Sequence, residues 1–193
     1  MAINPLAQFS RLRLLVVCEP DDDGQSLLRH LQRSRAQVRH QWPAPDRIGE
    51  NSDVLFCEYG PGLGHRLAWM PGEAEAALVV LLPQNVRIDY HELHVSCPNA
   101  VLSRPYQPHL IDAALLVAYD QFAFFRRQKT RITRMEENSR ALRDIEKAKQ
   151  LIMRRNRINE TEAFRVLRDM AMKKRVTVAS LASKLVDTSD SLE

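Results

Sequence analysis

Short apolar runs alternate with longer amphipathic segments along the first 120 residues of the chain. The apolar runs are predicted strands, and they cover residues 13–17, 53–57, 77–82 and 100–103. Residues 37–41 are less apolar and form a weaker predicted strand. Apolar residues also recur every three or four positions in residues 25–34 and 110–119, which predicts two helices. Strands that are apolar throughout and separated by helices are typical of a parallel sheet covered on both faces. The pattern therefore predicts an α/β domain of flavodoxin-like order over residues 1–120.

A long helix is predicted next, because residues 120–153 contain neither glycine nor proline and are rich in helix-forming side chains. Alternating steps of three and four residues mark a heptad seam that consists of Phe125, Gln128, Ile132, Met135, Ser139 and Leu142. This seam favours a homodimeric coiled-coil linker over residues 121–143, dimerised through Phe125, Ile132, Met135 and Leu142. The alternative is a single amphipathic helix that lies on the α/β domain. For a dimer, both the parallel and the antiparallel orientation stay open.

The last segment, residues 144–193, predicts a small three-helix domain. The long helix breaks at residues 156–158, and Asn159 with Glu162 forms a capping box that starts a second helix. Thr177 is the candidate cap of a third helix. Apolar and small residues recur at helical spacing in all three pieces, so we expect the helices to pack closely on their apolar sides.

Charge is distributed unevenly along the 193 residues. The formal net charge is +4, but residues 1–120 hold 10 Arg, no Lys and 14 acids, whereas residues 121–193 hold 18 Lys or Arg and 10 acids. A basic tail behind an acidic front indicates a polyanionic partner for the tail. The alternative, for any single basic residue, is a solvated surface charge.

The composition, with 45% hydrophobic and 27% charged residues, is that of an ordinary globular protein. The three scattered cysteines, Cys18, Cys57 and Cys97, fit neither a disulfide framework nor a zinc ribbon. No signal-peptide pattern and no membrane-spanning apolar stretch are present. No nucleophile–base pair or phosphate-binding loop stands out either. We therefore expect a cytoplasmic protein that is not an enzyme and that needs no metal or other cofactor.

The tail carries small, apolar and charged residues in a characteristic order. They are Ile145, Ala148-Lys149, Leu151-Met153, Arg155, Glu162-Ala163-Phe164, Leu167-Arg168, Ala171-Met172 and Leu181-Ala182. In order and spacing this string resembles the ANTAR domain, whose family members bind nascent RNA and prevent transcription termination. The resemblance implies hairpins of a leader mRNA as the ligand, and RNA polymerase as a partner only indirectly.

Basic side chains outside the predicted apolar stripes are the candidate RNA contacts, because surface cations neutralise phosphate charge. A serine is added because its hydroxyl can bond a base edge or a sugar. The candidate RNA-binding residues are Lys149, Arg154, Arg155, Arg168, Lys173, Lys174, Arg175, Ser180 and Lys184.

The α/β domain resembles a response-regulator receiver, yet its functional positions differ. Cys18 and Glu19 stand after the first strand, where a receiver has two acids that hold magnesium, so one acid is lost. The acids Asp21 to Asp23 come later, where they can cap the first helix. Glu58 stands at the place of the phospho-accepting aspartate, and Arg104 replaces the lysine after the fifth strand. Phosphotransfer needs a metal to neutralise phosphate charge and a lysine to hold the product. These positions predict a pseudo-receiver that is inactive in phosphotransfer.

One family member that this chain resembles combines a receiver-like domain, a coiled coil and an ANTAR tail, and it is held inactive by a ligand-sensing negative regulator that resembles a periplasmic binding protein. The resemblance therefore implies control by sequestration rather than by phosphorylation. Two other interpretations stay open, namely a DNA-binding response regulator with a helix-turn-helix, and a protein-interaction module captured by a ligand sensor. The nearly apolar start of the third helix, residues 177–180, argues against the DNA interpretation.

Overall fold

Five parallel strands form a single sheet in the first part of the chain. They are β1 (Arg13–Val17), β2 (Gln37–His40), β3 (Val54–Glu58), β4 (Ala77–Leu82) and β5 (Ala100–Ser103), and their spatial order is β2-β1-β3-β4-β5. The computed structural model describes residues 9–49, 51–70 and 73–190, without the side chains of residues 189 and 190. The parallel pairing of neighbouring strands confirms the predicted flavodoxin-like fold.

Six helices accompany the sheet among the described residues. They are α1 (Asp22–Arg33), α2 (Leu63–Arg66), α3 (Tyr90–Val95), α4 (Pro108–Asn156), α5 (Glu160–Lys174) and α6 (Val178–Asp190). The chain forms two compact units, one that extends to Arg126 and one that begins at Arg127. Each unit has its own buried core.

Both faces of the sheet are covered in the first unit, because successive residues of a strand point to opposite sides. Leu14 and Val16 of β1 belong to a buried cluster that also contains Ile111 of α4. Leu15 and Val17 belong to a second cluster, on the α2 side. This double burial explains why β1, β3 and β4 are almost entirely apolar rather than alternating.

The helix α4 is longer than the sequence pattern indicates. The predicted helix at residues 110–119 and the predicted linker helix are one continuous element, in keeping with the absence of glycine and proline between them. All side chains from residue 129 to residue 140 are exposed. No helix among the described parts of the chain is long and apolar enough to cross a membrane.

The second unit contains the three predicted tail helices, and its caps are as predicted. The Asn159 side chain accepts a hydrogen bond of 2.9 Å from the Glu162 N–H, and Oγ1 of Thr177 accepts one of 3.1 Å from the Ser180 N–H. Small side chains dominate the buried cluster, so the helices approach closely. The buried residues are Ala148, Ile152, Ala163, Leu167, Ala171, Leu181 and Ala182.

Gly24, in the first turn of α1, lies directly against the loop that follows β1. A Cβ atom at this position would lie 2.1 Å from the carbonyl oxygen of Glu19 and 3.2 Å from Sγ of Cys18. We expect Gly24→Ala to lower the free energy of unfolding of the first unit by about 2 kcal/mol or more, because backbone must move to admit the methyl group. Urea unfolding followed by circular dichroism measures this loss.

Gly60→Ala is the matched control for this variant. No atom lies within 4 Å of a Cβ atom built at Gly60, so its substitution should leave the unfolding midpoint nearly unchanged. Equal losses in the two variants would contradict the close packing of Gly24.

Candidate nucleic-acid interface and altered receiver site

The side chain of Arg104, which directly follows β5, contacts three carboxylates. Its Nη2 atom lies 3.1 Å from Oε1 of Glu58, and its Nη1 atom pairs with Asp21 and lies 3.6 Å from Asp23. Only 9% of the Arg104 side chain and 14% of the Glu58 side chain are exposed, so water screens this ion pair weakly. The guanidinium therefore connects the ends of β3 and β5 to the loop between β1 and α1.

Glu58 has a partner at each of its carboxylate oxygens. Arg104 occupies Oε1, and the backbone N–H of Glu19 donates to Oε2 at 3.0 Å. The Glu19 side chain is exposed, so this residue joins the cluster through its backbone. Of the three predicted receiver-site residues, Glu58 and Arg104 thus meet directly through their side chains.

Asp21 has two functions in this cluster, of which sequence reasoning found only one. It caps α1 by accepting a 2.8 Å hydrogen bond from the Gly24 N–H, as the pattern predicts, and it also pairs with Arg104. Burial alone would raise the pKa of its carboxyl, but the Gly24 N–H and the Arg104 guanidinium outweigh burial and lower that pKa. The sequence gives one indication of the pairing with Arg104, because residues that follow parallel strands meet at one edge of the sheet.

The buried thiol of Cys18 lies beside these charges and is uncharged at neutral pH. Burial raises its pKa to about 12, and the negative charge of Glu58 acts in the same direction. No group of three His, Cys, Asp or Glu suited to hold a metal ion occurs within the described residues. A phosphoryl group on Glu58 would have to displace either Arg104 or the Glu19 N–H, both of which already bind its oxygens.

Eight of the nine predicted RNA contacts are exposed on the second unit. They fall on the end of α4, along α5, in the turn after α5, and on α6. The exposed residues are Arg154, Arg155, Arg168, Lys173, Lys174, Arg175, Ser180 and Lys184. Cations at the end of α5 also suit the negative end of the helix dipole.

Lys149 differs from the other predicted RNA contacts because it is buried. Its Nζ atom lies 2.7 Å from Oε1 of Glu146 and 2.5 Å from Oε1 of Glu160. The hydrogen bonds to Glu146 and then to Glu160 raise the pKa of its ammonium group. Sequence alone does not place Glu160 beside Lys149, since the contact depends on how α5 returns along α4. Lys149 therefore joins α4 to α5, and its ammonium group is already bound by two carboxylates.

The apolar members of the predicted seam are all exposed on α4. Phe125, Ile132, Met135 and Leu142 are 55% to 65% exposed within the single chain. Phe122, by contrast, is buried in the core of the first unit. A row of large apolar side chains left in water is unfavourable.

These features define a class of protein, namely a response-regulator-like protein with an altered receiver site and a basic helical tail. The family model "AmiR, N-terminal" matches residues 12–119, and the model "ANTAR domain" matches residues 133–186. The chain therefore belongs to the AmiR N-terminal family and carries an ANTAR domain, which confirms the resemblance drawn from the tail.

Two known proteins resemble nearly the whole chain. The chain is 25% identical over 185 residues to the aliphatic amidase regulator of Pseudomonas aeruginosa, and the match covers 94% of each chain. A low-resolution structure of the response regulator StyR superposes with a TM-score of 0.52 at 15% identity. That match covers 90% of this chain and 99% of StyR, and it shows likeness of fold.

Replacing Arg104 tests the ion-pair cluster. We expect Arg104→Met to lower the free energy of unfolding of the first unit by about 3 kcal/mol at neutral pH, because it leaves the largely buried Glu58 carboxylate without its cation. Arg104→Lys keeps the charge but loses the two-pronged geometry, and should fall between the wild type and Arg104→Met. Arg87→Met removes an exposed arginine of the same unit and is the control. Urea unfolding measures all four proteins.

The pH dependence gives this prediction a second measurement. Because folding lowers the pKa of Asp21, its contribution to stability is present above the unfolded pKa of about 3.9 and is lost as the pH falls through the lower, folded value. The stability gap between wild type and Arg104→Met should therefore narrow below about pH 4. A gap that stays constant down to pH 2 would contradict the assignment.

Proposed function

We propose that this protein is an RNA-binding transcription antiterminator whose tail, residues 144–193, binds hairpins of a leader mRNA. The observation that carries the proposal is the ANTAR match over residues 133–186, which coincides with the basic helical unit. The other proposed segments are the receiver-like domain at residues 1–120 and the coiled-coil linker at residues 121–143. RNA polymerase is affected only through the RNA.

Charge supports RNA as the ligand of the tail. The exposed cations lie on one small unit, and their number is typical of a surface that releases counterions from phosphates. The start of α6 argues against duplex DNA, because Val178 packs against the core and Thr177 is occupied as a cap. A DNA recognition helix needs its first residues free to contact bases.

Control by a protein partner rather than by phosphate is the second part of the proposal. A receiver switches when phosphate changes the charge at the end of its third strand, and here Arg104 and the Glu19 N–H occupy the oxygens of Glu58. The expected controller is a ligand-sensing negative regulator that resembles a periplasmic binding protein, which would sequester the protein until its ligand arrives.

The RNA proposal predicts selective binding to leader hairpins. We expect the full chain to bind the leader RNA of the neighbouring operon more tightly than a scrambled RNA at the same salt, as measured by fluorescence anisotropy. Arg168→Gln and Lys174→Gln should each weaken binding about tenfold and reduce the salt slope by about one, as the loss of a phosphate contact does. Arg35→Gln, an exposed arginine of the first unit, is the control.

Two results would overturn this proposal. One is equal affinity for leader and scrambled RNA at matched salt. The other is displacement of the hairpin by an unrelated DNA duplex at lower concentration than by unlabelled hairpin, which would favour the DNA-binding alternative.

The coiled-coil proposal predicts a dimer that depends on the exposed seam of α4. Ile132→Asp should weaken dimerisation roughly a hundredfold or more, because an unpaired charge in a helix interface costs several kcal/mol. Thr133→Asp adds the same charge one residue further on, off the seam, and should leave the dimer intact. Sedimentation equilibrium measures both, and monomeric wild-type protein at high micromolar concentration would refute the dimer.

A further inference from the structure

The helix α5 exposes an aromatic side chain amid cations, and we infer that Phe164 stacks on an unpaired base of the bound RNA. This inference rests on the proposed RNA-binding function and deepens it by naming the residue that contacts a base rather than a phosphate. Phe164 is 44% exposed. It lies outside the buried cluster of the second unit, whose α5 members are Ala163, Val166, Leu167, Met170 and Ala171.

The residues that share this side of α5 indicate the chemistry of the occupant. Positions four apart follow one another along a helix, so Arg168 and Met172 continue the line from Phe164. Arg165 follows Phe164 directly in sequence and is rotated by roughly 100° from it around the helix. All three are exposed. The surface thus offers one flat apolar ring, one flexible apolar side chain and two guanidinium groups.

The acid nearest to Phe164 along this side is held in an ion pair within the second unit. Glu160 precedes Phe164 by one turn, and its carboxylate binds Nζ of Lys149 at 2.5 Å. That hydrogen bond lowers the pKa of Glu160 and pairs its charge within the unit. Arg168 is the exposed cation one turn after Phe164, and Glu162 and Asp169 are the other exposed acids of α5.

An unpaired nucleobase fits this combination. A base presents a flat π face, and the phosphates on either side of it carry the charge that Arg165 and Arg168 would neutralise. Bases within a paired stem are already stacked on each other, so the accessible base is one in a loop. A lipid or an acidic peptide offers negative charge but no flat ring of this kind.

The experiment uses the full chain and the leader hairpin that the wild-type protein binds, with 2-aminopurine placed at one loop position at a time. Stacking on Phe164 should change the fluorescence of 2-aminopurine at one loop position, and Phe164→Ala should abolish that change. Phe164→Ala should also weaken binding by about 5- to 100-fold, the range for loss of one base–aromatic stack. Phe164→Tyr should keep the affinity and the fluorescence change.

Two further variants separate stacking from packing. Phe164→Leu keeps an apolar side chain without the π face, and we expect it to behave like Phe164→Ala in binding while unfolding at the wild-type temperature. Tyr90→Ala removes an exposed aromatic ring of the first unit and should bind like the wild type.

The outcomes distinguish the two levels of the proposal. Wild-type affinity in Phe164→Ala, with the loss in Arg168→Gln retained, would overturn the stacking role and leave RNA binding intact. Failure of the wild-type protein to bind any hairpin would overturn both. A shift of Phe164→Ala towards monomer in sedimentation equilibrium would show that Phe164 contacts a second copy instead, which also overturns the inference.

Discussion

One guanidinium group among three carboxylates holds together the functional end of the sheet. Arg104 connects Glu58 at the end of β3 to Asp21 in the loop before α1, and the side chains of Arg104 and Glu58 are little exposed to water. Taking such charges out of water costs several kcal/mol per ion, a cost offset only when each charge has a close partner of opposite sign. Most other arrangements of the loops at this edge would therefore leave a buried charge without a partner.

This constraint affects how the protein can be switched. A two-state switch requires that an input bind one state better than the other, by about 5.5 kcal/mol for a nearly complete shift. A phosphoryl group at Glu58 would first have to displace the contacts that already neutralise its oxygens. A protein partner that binds elsewhere on the surface faces no such competition, which is why the proposed control is by sequestration.

Sequence patterns predicted the strands and the longer helices, but not the short helices α2 and α3 or the contacts between distant residues. The strands and the caps Asn159 and Thr177 depend on neighbours within four positions, and local rules predict them. The pairing of Arg104 with Asp21 joins residues 83 positions apart, and the pairing of Lys149 with Glu160 depends on the turn between α4 and α5. Composition cannot reveal which cation is paired, and for that reason Lys149 looked like an RNA contact.

The burial of Lys149 is consistent with the proposed RNA surface, because this lysine has a structural contact within the second unit. A core built largely from alanine lets the three tail helices approach closely but buries little apolar area, and area sets the hydrophobic stabilisation. An ion pair that joins α4 to α5 adds a specific contact between the two helices, and it holds the Glu160 carboxylate against Lys149. The same interaction that orders the helices thereby gives a cationic partner to an acid on the side of α5 where RNA is proposed to bind. Structure and recognition in the tail thus depend on one lysine that need not contact the ligand.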